Sequence, residues 1–132
     1  MTEADETEQP PFDEALTAAY WRYVKRRQFA EHWAYETVDS AMWDHVDGAV
    51  ALLVALADSA PDESTSLAVL GAGPLEDFLR RGNRRPTPAE LDAIDAAAQT
   101  NERFRTALRC VWWGPNDDPD TVTRFQRFGP PL

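Results

Sequence analysis

Residues 49–57 form the longest apolar run of the chain, nine consecutive Ala, Val and Leu residues. A helix built from such a run presents apolar side chains on every side, so it is stable only if other elements cover it completely. The run is too short to cross a bilayer, which takes about 20 residues. The sequence therefore predicts a buried central helix that the rest of the fold surrounds.

Helix signals recur through most of the remaining chain. Residues 87–90 read Thr-Pro-Ala-Glu, a capping box with proline in the first turn. Asp13 and Asn101 can each cap a helix whose apolar residues recur at helical spacing. No segment alternates apolar and polar residues as a strand would. We predict an all-α fold, a single compact domain of six or seven short helices around the central one.

Charge and length bound the domain organisation. The chain has 132 residues and a formal net charge of −10, and six of its 23 acidic residues lie within residues 1–14. We predict a disordered acidic tail at residues 1–11, a helical domain at 12–128 and a C-terminal tail at 129–132. Because much of the acidity lies in the tail and residues 66–132 are balanced, the charge pattern argues against nucleic-acid binding.

Cysteine usage and the first residues indicate the compartment. Cys110 is the single cysteine, which excludes an intramolecular disulfide and agrees with a reducing cytosol. Its neighbours Val111 and Trp112 suggest that it is a small core residue. The acidic, polar start of the chain is unlike a secretory signal. We predict a cytoplasmic protein, and the excess of arginine over lysine suggests a bacterial one.

Residues 70–82 interrupt the helical pattern with two glycines and a proline. We predict a helix break near 71–74, where one short helix stops, the chain turns tightly, and a new helix begins at Pro74. A methyl group at Gly73 should clash if the turn needs a positive φ or a close backbone contact. The residues of this predicted structural turn are Gly71, Gly73, Pro74 and Gly82.

The same stretch resembles a known family. Residues 72–82 resemble the A-G-P-L-E-[DE]-[LF]-L…G signature of a small bacterial family of unknown function. The resemblance continues at residues 33–39, 94–95 and 104–112. It covers about residues 30–113, and the chain departs from it at Leu70-Gly71 and in the arginine-rich insert at 80–85. The resemblance implies a helical fold and no mechanism, because the family has no assigned activity.

Glu76 and Asp77 fall in the first turn after Pro74, where exposed backbone N–H groups favour anionic side chains. Two interpretations of Glu76 stay open. It can cap its own helix start, or it can be a buried anchor for an arginine of this chain or of a partner. The glycine turn is not a phosphate loop, because it lacks the Lys-Ser/Thr ending and follows a helix.

Arginines and tryptophans suggest a contact surface. Four arginines lie within residues 80–85, where they can grip carboxylates or phosphates or can simply be solvated. An exposed tryptophan beside arginine is typical of a protein contact. The candidate binding residues are therefore Glu76, Asp77, Arg80, Arg81, Arg84, Arg85 and Trp113.

The sequence offers no catalytic set. His32 and His45 are the only histidines and lie on different predicted helices, whereas a zinc site needs three or four ligands in register. A metal site that uses Glu36, Asp39 or Asp44 is a conceivable alternative. No G-x-S-x-G motif is present. We predict no catalytic residues, no metal ligands and no cofactor.

These observations favour a small cytosolic protein that binds a protein partner without catalysis, as an immunity-type or regulatory module does. The alternative is an enzyme or small-ligand binder with a pocket at Gly71–Asp77. A deep pocket that converges on Glu76 would favour the ligand, and a flat aromatic and basic face would favour a partner. The partner's identity and the oligomeric state stay open.

Overall fold

A computed structural model describes residues 12–132, so the predicted tail at 1–11 lies outside the described residues. Within 12–132 the chain is all-helical, as predicted, with no strand. The helices are α1 (Glu14–Arg26), α2 (His32–Trp43), α3 (Ala49–Ser59), α4 (Thr65–Leu70), α5 (Pro88–Thr100), α6 (Glu102–Leu108) and α7 (Pro119–Gln126). A 3-10 helix, Phe29–Glu31, leads into α2, and two π-helical segments, Gly71–Leu75 and Asp77–Arg81, continue α4.

Helix α3 is the predicted central helix. Leu52, Leu53 and Leu56 are fully buried, and α1, α4, α5 and α6 all pack against it. Side chains from its neighbours satisfy the carbonyls at its C-terminal end, where a helix has no partners of its own. The indole of Trp21 donates to the Leu56 carbonyl at 3.1 Å, and the guanidinium of Arg103 donates to the Ala57 carbonyl at 2.8 Å.

The predicted break near 71–74 is a change of hydrogen bonding inside a continuous helical path. Gly71 has φ −67° and ψ −46°, which are helical values. Pro74 has no N–H and its ring would collide with the carbonyl four residues back in an α-helix. The Glu76 amide instead donates to the Gly71 carbonyl, five residues back, which is the wider π spacing. The prediction of a tight turn followed by a new helix is wrong.

The three glycines of this segment differ in how closely their backbone meets other residues. A Cβ on Gly71 would lie 2.0 Å from the carbonyl oxygen of Ala107, so glycine is required where the segment crosses α6. A Cβ on Gly82 would lie 2.2 Å from the His45 ring, so glycine lets the helix end close against it. A Cβ on Gly73 would meet nothing within 4 Å. The expected clash at Gly73 is therefore wrong, because its backbone is helical and faces open space.

Residues 129–132, predicted as a tail, are tied back to the end of α6. The Leu132 amide donates to the Arg109 carbonyl, and the Arg109 guanidinium donates to the Pro130 carbonyl, both at 3.0 Å. No helix in the described part of the chain has the length and apolar character needed to cross a membrane.

Alanine substitutions at the two glycines should have opposite effects. Gly71→Ala should lower the free energy of unfolding by about 1–3 kcal/mol or more, because the new methyl group collides with backbone of α6. Gly73→Ala should be neutral or stabilising by up to about 1 kcal/mol, because alanine favours helix and meets no neighbour here. Urea denaturation of both variants checks this, and equal losses would contradict the described packing.

Candidate functional site

The Glu76 carboxylate is the buried centre of the predicted site, and the residue is only 2% exposed. One oxygen, Oε1, accepts a hydrogen bond from the Trp112 amide at 2.7 Å. The other, Oε2, forms an ion pair with Arg81 and lies 3.5 Å from Nη1 of Arg80. Glu76 thus anchors arginines of this chain. The capping interpretation is wrong, because the only backbone amide among residues 12–132 that donates to this carboxylate is that of Trp112, 36 residues away, and no amide of its own helix start does so.

The arginines of this network have second partners. Arg80 Nε donates to Asp117 at 2.7 Å, which ties the π-helical segment to the loop before α7. Arg81 Nη1 donates to Oδ1 of Asp77 at 3.1 Å. Glu76, Asp77, Arg80 and Arg81 therefore form one connected cluster of side chains, as their proximity in sequence suggested.

Asp77 also borders a cavity of about 160 Å³ that opens where Gly73 has no side chain; we call it the Asp39–Asp77 cavity. It lies between α1, α2 and the π-helical segments, and its polar lining groups are Tyr20, Arg27, Tyr35, Asp39 and Asp77. Burial raises the pKa of the Asp77 carboxyl, and the Asp39 charge adds to that effect, although Arg81 opposes it. Two carboxylates thus line one small space.

The polar groups of this cavity are short of partners. Within residues 12–132, Asp39 has no ion pair and the Tyr20 hydroxyl has no hydrogen bond. Tyr20 is 2% exposed. Burial raises the pKa of Tyr20, with further contributions from Tyr35, Asp77 and Asp39, while the Arg27 charge opposes the rise. Asp39 and the Tyr20 hydroxyl thus line the cavity without a partner among the described residues.

A second cavity, of about 400 Å³, collects Arg85 and Trp113 beside Arg80. Its acidic residues are already engaged. Asp117 accepts from Arg80, and Asp118 caps α7 by accepting from the Thr121 amide at 3.0 Å. This cavity brings together three of the predicted binding residues, Arg80, Arg85 and Trp113. Most of its charged groups already bond to other residues of this chain.

Arg84 lies apart from both cavities. Its guanidinium makes two hydrogen bonds to the Glu90 carboxylate, at 2.8 and 2.9 Å, and lowers the pKa of that carboxyl to about 2. Glu90 is also the acid of the capping box at the start of α5, where Thr87 accepts from its amide. Arg84 therefore braces a helix start.

Sequence reasoning missed an aromatic surface at the start of α2, which we call the aromatic face: Tyr23, Phe29, His32 and Tyr35. The rings of Phe29 and His32 stack with centroids 6.4 Å apart, and those of His32 and Tyr35 with centroids 5.9 Å apart. Tyr23 lies 5.3 Å from Tyr35. Phe29 is 90% exposed. The spacing of three residues from 29 to 32 to 35 could have revealed this face, since such residues share one side of a helix.

His45 and Cys110 serve structural roles. His45 is buried, and its Nε2–H donates to the Phe78 carbonyl at 2.7 Å, which satisfies a carbonyl near the end of the π-helical path. Burial raises the pKa of the Cys110 thiol, which is unfavourable for a reactive thiolate. Among residues 12–132, no group of three or more His, Cys, Asp or Glu side chains could hold a metal ion.

Comparison with known proteins gives the family. The model of a family of unknown function, DUF6869, matches residues 22–129, and the chain belongs to that family. The resemblance found in the sequence to a family of unknown function is thereby supported. Comparisons with curated proteins and with solved structures found no match.

Replacing Glu76 tests the buried network. Glu76→Gln should lower the free energy of unfolding by about 3 kcal/mol, because it leaves two partly buried guanidinium groups without their shared carboxylate. Glu63→Gln is the matched control. Glu63 pairs with Arg103 at 2.9 Å but its side chain is exposed, so the change should cost less than about 1 kcal/mol. If chemical denaturation gave the same loss of unfolding free energy for both variants, the buried Glu76 network would stabilise the fold no more than an exposed ion pair does.

Proposed function

We propose that this member of the DUF6869 family is a cytosolic, non-catalytic protein-binding module whose partner docks on the aromatic face. The observation that carries the proposal is the ladder of stacked, solvent-exposed rings formed by Phe29, His32 and Tyr35. The cytosolic location rests on the single, buried Cys110.

Leaving these rings in water is costly for the isolated chain. Burying a phenylalanine side chain contributes about 1.5–3 kcal/mol of stabilising free energy. Phe29 gains almost none of this in the isolated chain, because it is exposed. Adjacent exposed apolar groups bordered by polar residues are typical of interaction sites. Aromatic side chains also supply much of the binding energy at protein interfaces. A partner that covers the aromatic face would recover this free energy.

The rings are ordered before a partner arrives. Each ring of the face stacks on, or meets at an angle, at least one other ring, and Tyr23 also has the Arg27 guanidinium 5.3 Å from its ring centroid. Side chains that are already held lose less conformational entropy on binding. Charged pairs border the face, Arg22 with Glu31 and His32 with Glu36, and they would form a polar rim.

The alternative function, small-ligand binding at Gly71–Asp77, is favoured by one observation, the Asp39–Asp77 cavity beside Gly73. Two facts weigh against a whole metabolite. Its volume of about 160 Å³ is below the roughly 300–1,000 Å³ of ordinary ligand pockets. The Glu76 carboxylate, on which a ligand pocket was expected to converge, is engaged with Trp112 and the arginines. A single side chain of a protein partner fits this space better.

A capture experiment tests the docking surface. The full chain and its Phe29→Ser and Trp112→Ser variants are immobilised and exposed to lysate of the native host, and the captured protein is then purified and titrated against each. Phe29→Ser should weaken binding at least tenfold, because a central ring is lost. Trp112→Ser should change it less than twofold, because Trp112, 74% exposed, lies outside the aromatic face.

Two outcomes would contradict the proposal. The first is a purified partner that binds Phe29→Ser as tightly as the unmodified chain. The second is a partner whose binding is lost in Trp112→Ser and kept in Phe29→Ser, which would move the docking surface to the region around Trp112. Neither variant should change the unfolding free energy by more than about 0.5 kcal/mol, since both positions are exposed.

A further inference from the structure

We infer that the Asp39–Asp77 cavity is a receptor for the guanidinium group of an arginine side chain. The inference rests on the proposed function in one respect: the arginine would belong to the protein partner that docks on the adjoining aromatic face. Tyr35 belongs to both the face and the cavity lining, so one partner segment can cover the face and insert a side chain beside it.

One of the two carboxylates that line the cavity makes no ion pair within residues 12–132. The two are those of Asp39 and Asp77, and Asp77 borders the Glu76 network. Arg81 pairs with Glu76 and Asp77, and Arg80 is shared with Asp117. Arg27 lines the cavity but makes no ion pair with a carboxylate of residues 12–132. Asp39 thus has a cation in the same cavity lining but no ion pair, and an incoming cation gains more in such a partly enclosed space than it would in bulk water.

Hydrogen-bonding capacity favours a guanidinium over an ammonium group. The free acceptors are both oxygens of Asp39, Oδ2 of Asp77, and the hydroxyls of Tyr20 and Tyr35, none of which is hydrogen-bonded by another described residue. A guanidinium has five N–H donors spread in a plane, whereas an ammonium has three at one point. Tyr20 is 2% exposed and lines the same cavity, and no residue among 12–132 forms a hydrogen bond with its hydroxyl.

The walls and the volume agree with this chemistry. Tyrosine rings attract a planar cation across their faces, and Val24, Val38 and Val69 can cover the apolar stem of an arginine. A cavity of about 160 Å³ has the volume of about five water molecules, which suits the end of one side chain. Divalent cations are less suitable, since Ca²⁺ takes six to eight oxygen ligands.

The test uses the isotope-labelled full chain and a defined probe, Nα-acetyl-arginine methylamide, followed by NMR chemical shifts at Gly73 and Asp77. The neutral isostere Nα-acetyl-citrulline methylamide should bind at least tenfold more weakly. The lysine analogue should bind at least threefold more weakly. Equal binding of arginine and citrulline would overturn the inference, and tighter binding of lysine would overturn the choice of guanidinium.

Three variants locate the probe. Asp39→Asn should weaken arginine binding at least tenfold, and Tyr35→Phe, which keeps the ring, should weaken it about threefold. Arg27→Gln should strengthen it, because a competing cation is removed; weaker binding would indicate an anion site and overturn the inference. Glu36→Gln is the control on the same helix and should have less than a twofold effect, because Glu36 does not line the cavity.

The probe titration contains no partner, so its result is independent of the docking surface. If the probe fails to bind, the arginine inference is overturned. The docking proposal is unaffected, because it is tested by the binding of the partner to Phe29→Ser. A probe that binds as expected supports the inference even if partner capture proves independent of Phe29.

Discussion

The buried carboxylate of Glu76 is the constraint on which the centre of this structure depends. A carboxylate that is 2% exposed is stable only if hydrogen bonds and opposite charge replace water. The Trp112 amide, Arg81 and Arg80 supply them. Because the Trp112 amide lies just after α6, its bond to Glu76 fixes the π-helical segment against the end of α6, and Arg80 fixes the segment through Asp117 against the loop before α7.

Pro74 determines the hydrogen bonding of the π-helical segment and so the position of Asp77. Its missing N–H and its ring are incompatible with α-helical bonding to Leu70, and the π spacing that results admits an extra residue in the turn. Asp77 then faces Asp39 across a space that Gly73 leaves unfilled. The position of the Asp77 carboxylate and the open space beside Gly73 therefore follow from neighbouring residues in the sequence. The Glu76–Trp112 hydrogen bond, which holds this segment in place, joins residues that are distant in sequence.

Local signals were sufficient for much of the fold. The apolar run at 49–57 became the buried helix, and Asp13, Thr87 and Asn101 all cap helices as their sequence contexts predicted. The role of Gly71 was ambiguous because a glycine looks the same in a turn as in a tight helix crossing, and the carbonyl of Ala107 that requires it is distant in sequence. Glu76 was ambiguous for the same reason. The sequence showed only the three-residue spacing of the rings in the aromatic face. It could not show that these rings are exposed, because exposure depends on the tertiary structure.

A crystal structure of the full chain with Nα-acetyl-arginine methylamide would test the central claim most directly. We expect the guanidinium between the carboxylates of Asp39 and Asp77, with the Tyr20 hydroxyl accepting one of its hydrogen bonds and the Glu76 network unchanged. A guanidinium bound instead beside Asp117 and Asp118 in the larger cavity, with the space at Gly73 empty, would contradict the account.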